Sequence, residues 1–160
     1  MSSLRSSTLP VLTGAMGTLG LATGLYSFSA PIDADRIFGI IVPKSVSSSK
    51  ELQTWQAAQT SARGVRNVAS GLAIIGITSF WQFSSLCQAT PVASTVAKRC
   101  LGIVFLSGVI TSAGDGIIIT QFARGDSTSE EAKEVGKKAG FGHIVTTIPI
   151  LALGVACFFT

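Results

Sequence analysis

The chain carries few charged side chains, and this scarcity excludes most soluble folds. Only 20 of its 160 residues are Lys, Arg, Asp or Glu, a share of 12%, which is about half that of an ordinary soluble domain. Four windows, 9–32, 67–90, 100–123 and 139–160, hold 94 residues and a single charge, Asp115. Because a soluble helix needs a polar face toward water, this distribution predicts a membrane protein. The chain is also too apolar for a disordered protein.

Histidine and cysteine, the usual metal ligands, are also scarce. The chain has one His and three Cys, without any CxxC or HExxH pattern. Because zinc and haem sites need such clusters, we expect no metal and no cofactor. Cys87 and Cys100 bracket one predicted connection, so a disulfide between them and inert buried thiols are both open interpretations. The basic residues flank the apolar windows, so the net charge of +4 does not indicate nucleic-acid binding.

Four apolar runs have the length of a bilayer-crossing helix, about 20 residues. They lie at about 9–28, 67–86, 100–122 and 139–160. They lack the alternation of apolar and polar residues that marks the strands of a membrane β-barrel. The sequence therefore predicts an all-α protein with a single membrane domain, a four-helix transmembrane bundle of up-and-down topology over residues 1–160.

The connections between these runs predict the orientation. The first and third connections carry nine Lys and Arg, against three on the N-terminus, the second connection and the C-terminus. Positive residues stay on the cytosolic side, so we expect these two connections in the cytosol of a multi-pass protein, with the endoplasmic reticulum as the favoured membrane. As an alternative, the first run resembles a cleavable signal peptide.

Two connections contain local helix signals. In the first, residues 53–59 predict a short helix. In the third, Ser127 and Glu130 have the spacing of a capping box. We therefore expect the fourth helix to extend out of the bilayer at its N-terminal end.

Polar residues inside the apolar runs converge on one leaflet. Asp115 lies in the third run and His143 near the start of the fourth, while Arg66 directly precedes the second. A charge in the bilayer costs at least about 2.5–3.5 kcal/mol, so these positions need an explanation. The helix ends that carry all three meet on the same side of the predicted bundle.

Two hypotheses explain this cluster. In the structural one, Asp115 forms a buried ion pair with Arg66 or Arg63, bridged by His143, because charges within a membrane usually pair. In the functional one, Asp115 and His143 act as acid and base on a lipophilic substrate, and Arg66 stabilises an anion. A proton or ion path is a third alternative. The candidate catalytic residues are Asp115, His143 and Arg66, and the candidate substrate-binding residues are Asn67, Arg63 and Arg36.

An ordered set of short motifs resembles a known family. Segment 64–72, GVRNVASGL, is similar to the G-x-R-D-x-x-x-G-L signature of small four-helix membrane proteins of unknown function, found in bacteria and especially in fungi. The same family has an R-x-x-G before this segment, a G-D in the third span and a G-H opening the fourth. Residues 36–39, 114–115 and 142–143 resemble these motifs in order and spacing. The resemblance implies four membrane helices and no known activity. Asn67 stands where the family has Asp, which argues against a mechanism with two acids.

The leading functional hypothesis is a membrane protein of lipophilic small-molecule metabolism, including secondary metabolism. In its sharpest form, the protein is an intramembrane acid–base enzyme such as an isomerase or a cyclase. The alternative is a non-catalytic scaffold or accessory protein of a biosynthetic pathway. The expected partners are the lipid bilayer, a lipophilic substrate and membrane-associated pathway enzymes. A transporter ranks third, because no inverted repeat is visible.

Overall fold

The computed structural model describes residues 2–41, 49–125 and 128–159, which form helices without any strand. Six helices follow one another: α1 (Ser2–Ser29), α2 (Pro31–Phe38), α3 (Lys50–Phe83), α4 (Ser85–Ala89), α5 (Pro91–Ala123) and α6 (Glu130–Phe159). Four of them have 28 to 34 residues, and each runs antiparallel to the long helix before it. The prediction of an all-α protein is confirmed, although the described residues contain two short helices besides the four long ones.

The first connection is shorter than predicted, because α3 begins at Lys50. The short helix expected at residues 53–59 is the first part of this long helix. Ser49 caps it by accepting a hydrogen bond from the Leu52 N–H at 3.4 Å. The prediction of a separate helix was wrong because polar residues 50–63 contain no Pro or Gly that would end it. The second apolar run was predicted to end at residue 86, whereas α3 ends at Phe83. The next residue, Ser84, has an extended backbone.

The fourth long helix begins at Glu130 and continues to Phe159, as the sequence predicts. At its start, Ser129 Oγ accepts a hydrogen bond from the Ala132 N–H at 3.3 Å. The predicted cap, Ser127, lies outside the described residues. The charged turns before residue 139 thus belong to the same helix as the last apolar run.

Three helices are long and apolar enough to cross a membrane: α1 over Thr8–Ser29, α5 and α6. Their outer faces expose large apolar side chains, with Ile110 at 77% and Phe141 at 69%. Soluble monomers rarely expose wide apolar surfaces, so these helices indicate a membrane protein. The second predicted span lies mostly in α3. This helix is long, but it is not one of the three helices that are apolar enough to cross a membrane.

The long helices form two pairs whose backbones approach closely at glycines. In the α1–α3 pair, a Cβ added at Gly71 would lie 2.5 Å from Leu21 N, and one added at Gly24 would lie 2.7 Å from Val68 N. The α5–α6 pair is similar, because a Cβ at Gly102 would lie 3.0 Å from Gly154 O. Small residues permit such packing between membrane helices. The glycine face of α1 is therefore occupied by α3.

The two pairs meet over a smaller area. Their shared core contains Ile74 of α3, Leu101 and Phe105 of α5, and Cys157 of α6. In the described residues α1 approaches α6, but no Cα atom of α1 lies within 8 Å of one of α5. The two pairs are therefore less closely packed against each other than the helices within them, and a cavity lies between them. Cys87 and Cys100 are both free, the first buried and the second exposed.

Candidate functional site

A cavity of about 820 Å³ separates the two helix pairs, and helices α1, α2, α3, α5 and α6 all line it. Five of the six predicted site residues contribute to its wall: Arg63, Arg66, Asn67, Asp115 and His143. Most of the remaining lining is apolar, including Leu19, Ile74, Ile103 and Phe105. Polar side chains that are far apart in sequence thus lie together at one end of an apolar cavity.

Arg66 and Asp115 form an ion pair across the cavity wall between α3 and α5. Arg66 Nη2 donates to Asp115 Oδ2 at 2.9 Å, and the side chains are 44% and 16% exposed. Among the described residues this is the one hydrogen bond that joins them, so the pair is not bidentate. The predicted pairing of Asp115 with Arg66 or Arg63 is therefore observed with Arg66 as the partner, although Arg66 is half-exposed rather than buried. His143 makes no hydrogen bond to either member in the described residues, so it does not bridge them.

Arg63 pairs instead with Asp35 of α2, in a cluster that sequence analysis missed. Asp35 is only 4% exposed and forms an ion pair with Arg63. It also accepts hydrogen bonds from Gln56 Nε2 at 2.7 Å and from Thr60 Oγ1 at 2.8 Å. These bonds satisfy the buried carboxylate and fasten α2 onto α3. A signal was present in the sequence, because residues 56, 60 and 63 lie on one face of a helix.

The end of α2 places an aromatic ring between the two polar groups. Gly39 ends the helix with a φ of 106°, a left-handed conformation that favours glycine, and a Cβ added there would lie 2.6 Å from Ala139 Cβ. The adjacent Phe38 ring lies 3.9 Å from Arg63 Cζ, and its centroid is 4.9 Å from that of His143 in an edge-on contact. Phe38 therefore connects the Arg63 cluster to the candidate catalytic histidine.

The backbone of His143 is held by neighbouring hydroxyl groups. Ser112 Oγ of α5 donates to His143 O at 2.8 Å, and Thr147 Oγ1 donates to the same oxygen at 3.0 Å. Nearby, a Cβ added at Gly116 would lie 3.0 Å from Gly140 O. Gly116 and Gly140 thus let α5 and α6 approach where Asp115 and His143 reach the cavity, whereas a Cβ added at Gly114 or Gly142 would meet nothing within 4 Å.

Arg36 is the one predicted site residue that lies outside the cavity lining. Its Nη2 atom is 3.2 Å from Glu131 Oε1, and both side chains are 66% exposed. Such an exposed pair contributes little stability. The structure therefore places Arg36 on the surface, where it links α2 to the start of α6.

The charges at the polar end balance, with two arginines against two aspartates and one histidine beside them. In the described residues no three His, Cys, Asp or Glu side chains are grouped as metal ligands would be. What the arrangement offers chemically is a carboxylate, an imidazole and a guanidinium on one wall of an apolar cavity. Those groups can donate, accept and transfer protons.

Comparison with known proteins adds a family match. A family model described as "Domain of unknown function (DUF4267)" matches residues 17–157. No curated protein and no solved structure matches the chain. The matched region contains every residue of the candidate site.

Proposed function

The chain belongs to the DUF4267 family, whose function is unknown, and we propose that it is a membrane protein acting on a lipophilic small molecule bound between its two helix pairs. One observation carries this proposal: the Arg66–Asp115 pair and His143 line the same largely apolar cavity. An isolated structural ion pair needs no cavity beside it. Polar groups at the end of an apolar cavity are typical of small-molecule sites.

The proposal includes four membrane crossings: α3 crosses in addition to the three more apolar helices α1, α5 and α6. Glycine contacts from Gly17 to Gly24 hold α1 against α3, so α3 lies at the same depth as a helix apolar enough to cross. At its far end, Lys98 Nζ lies 5.9 Å from the Trp81 ring, and Trp and Lys favour the membrane interface. Arg66 and Trp81 are about 22 Å apart along the helix axis at 1.5 Å per residue. This part of α3 is therefore long enough to cross most of a hydrocarbon core that is about 30 Å thick.

The chemistry we propose is a proton transfer within one bound molecule. His143 or Asp115 takes a proton from a carbon next to a carbonyl group, and Arg66 donates a hydrogen bond to the enolate oxygen that gains negative charge. Returning the proton at the far carbon of a conjugated enolate moves the double bond and gives an isomer. In a cyclisation the enolate carbon instead attacks an unsaturated carbon of the same molecule, and the proton returns to the atom that receives the displaced electron pair. Atoms and charge balance without a metal or cofactor. Asn67 and Arg63 line the same end and are the proposed binding residues. The assignment to secondary metabolism rests on the family resemblance alone.

Conservative substitutions test this chemistry. Asp115→Asn and His143→Gln, each expressed in a deletion strain, are expected to lower the amount of pathway product at least tenfold at wild-type protein abundance. Glu134→Gln is the matched control, because Glu134 is an exposed carboxylate on α6, and it should leave output unchanged. Metabolite profiling is the measurement. Full output from both site variants would end the catalytic proposal.

A non-catalytic scaffold is the second candidate, favoured by the exposed start of α3. Trp55 is 64% exposed and Leu52 is 42% exposed beyond the apolar part of the bundle, and exposed aromatic residues are enriched at protein interfaces. In this case Trp55→Ala should remove a co-purifying pathway enzyme, while Gln59→Ala on the same exposed turn should retain it. Loss of that enzyme together with full output from Asp115→Asn would favour the scaffold.

A further inference from the structure

We infer that the cavity takes a single-chain amphiphile with a neutral hydroxyl or carbonyl head group, which reaches it sideways from the bilayer between the two helix pairs. This inference rests on the proposed function and names its ligand class. Three features of the cavity carry it: its length, its open side and its balanced charge.

The length of the cavity suits one extended hydrocarbon chain. On α5 the lining extends from Ile103 to Asp115, and on α1 from Met16 to Ser27. At 1.5 Å per residue these segments rise about 18 Å and about 16 Å. With Lys98 at the far interface, Ile103 lies about 7 Å and Asp115 about 25 Å from that interface at 1.5 Å per residue, in a hydrocarbon core about 30 Å thick. An acyl or isoprenoid chain therefore fits along the bundle axis, with its head near the polar end at Asp115 and its tail past the middle of the membrane at Ile103.

The open side of the cavity faces the bilayer. Glycine contacts seal α1 against α3 and α5 against α6, and the Ile74–Phe105 core closes the junction of α3 with α5. The two pairs approach each other less closely than the helices within each pair, and no Cα atom of α1 comes within 8 Å of one of α5 in the described residues. Leu19 and Ile103 line the cavity from these two helices and remain 55% and 58% exposed. Because α1, α5 and α6 are all apolar enough to cross the membrane, we expect the gap between the pairs to face lipid.

The polar end favours a neutral head group. Arg63 is already neutralised by Asp35, which is only 4% exposed and accepts two further hydrogen bonds. Arg66 and Asp115 neutralise each other through one hydrogen bond, so the remaining guanidinium N–H groups and the second carboxylate oxygen can serve a ligand. A hydroxyl group can accept from Arg66 and donate to Asp115, and a carbonyl can accept from Arg66. A phosphate would bring negative charge to a balanced site in a poorly solvated region, which is unfavourable.

Photolabelling of the full-length protein in nanodiscs tests the ligand class. The probes are myristyl alcohol and myristyl phosphate, each with a diazirine at the end of the chain. We expect the alcohol to label residues near Ile103 and Met16, with competition by unlabelled myristyl alcohol and at least tenfold less labelling by the phosphate. Stronger labelling of the cavity by the phosphate would overturn the neutral head group and leave the proposed function standing. Absence of cavity labelling by both probes would overturn the ligand class, whereas the substitutions at Asp115 and His143 test catalysis separately.

Two bulky substitutions test the position and the side of access. Ser107 lines the cavity on α5, so Ser107→Trp should reduce labelling by the alcohol at least tenfold. Ile110→Trp is the control, because Ile110 is 77% exposed on the same helix and does not line the cavity. Leu19→Trp blocks the opposite wall and replaces the first variant if that one does not accumulate. Unchanged labelling of an accumulated Ser107→Trp or Leu19→Trp protein would contradict access between the two helix pairs.

Discussion

Asp115 is a charged residue in an apolar helix, and its partner explains how the chain retains it there. Arg66 lies 2.9 Å away across the interface between α3 and α5. A charge pair of this kind satisfies both members, but it adds little stability relative to apolar side chains of similar size. Stability alone therefore gives no reason for a charge pair on the wall of a cavity. Substitutions of this pair can therefore distinguish a structural role from a functional one.

Removing the two charges singly and together separates these roles. Arg66→Met and Asp115→Leu should each lower the free energy of unfolding by about 1–2 kcal/mol, below the range for fully buried pairs because Arg66 is partly exposed. The double variant should recover most of that loss, since no unpaired charge remains. Pathway output should stay low in all three variants. Thermal unfolding in detergent and metabolite profiling are the two measurements. Recovery of output in the double variant would show that the pair has a structural role only.

Asp35 differs from Asp115, because it is almost fully buried and its carboxylate is bonded to three side chains. We therefore expect its main role to be structural. Asp35→Asn should destabilise the protein by about 3–5 kcal/mol, since it leaves Arg63 as a poorly compensated buried charge. Asp33→Asn is the matched control on the same short helix. Asp33 is exposed, so its substitution should change the free energy of unfolding by less than about 0.5 kcal/mol. Chemical unfolding in mild detergent gives both values, and equal stability of the two variants would contradict the role given to Asp35.

At the scale of the helices, glycine spacing decides which helices pair. Gly64 and Gly71 of α3 lie against Gly24 and Gly17 of α1, and α5 packs on α6 in the same way. Close backbone approach gives membrane helices their packing energy. The wider separation between the two pairs follows, because α3 and α5 meet through larger side chains. The cavity is thus a consequence of uneven helix spacing.

Two alanine substitutions in α3 test this account. A Cβ at Gly71 would lie 2.5 Å from Leu21 N, whereas a Cβ at Gly76 would meet nothing within 4 Å. Gly71→Ala should therefore destabilise the protein by about 1–3 kcal/mol through overpacking. Gly76→Ala should be neutral or stabilise by up to about 1 kcal/mol through helix propensity. Thermal unfolding compares the two variants, and the account fails if Gly71→Ala unfolds at the wild-type temperature.

At the scale of the whole molecule, the arrangement places the connection α1–α3 and the connection α5–α6 at the same end. These segments carry most of the basic residues, so the positive-inside rule predicts that this end is cytosolic. Asp115, Arg66 and His143 would then lie in the cytosolic leaflet. The proposed ligand would be a molecule that partitions into that leaflet.

A topology reporter measures this orientation. A reporter fused after residue 160 should report the side opposite to the cytosol, because four crossings return the C-terminus to the side of the N-terminus. A reporter inserted between residues 125 and 128 should report the cytosol. Cytosolic signals from both positions would contradict four crossings, and exchanged signals would contradict the orientation.

Much of the architecture could be predicted from the order of residues alone. Three of the four apolar runs lie in helices that are long and apolar enough to cross a membrane among the described residues, because hydropathy is a local property and each run has the length of a crossing. The same reasoning selected Arg66, Asp115 and His143, because a polar residue in such a run is costly wherever it packs. The boundaries of α3 were less predictable. Hydropathy assigns the polar residues 50–63 to a connection between helices, whereas they form the first turns of α3.

The sequence by itself determined the class of the protein and the end of the bundle where its polar residues gather. Only the tertiary structure decided which charges pair, because Asp35 and Arg63 or Arg66 and Asp115 meet through the packing of helices distant in sequence. It also decided that Asp35 is buried and that Arg36 is on the surface. The cavity belongs to the same category. It arises from the different distances between helices, which depend on how glycines of one helix face another.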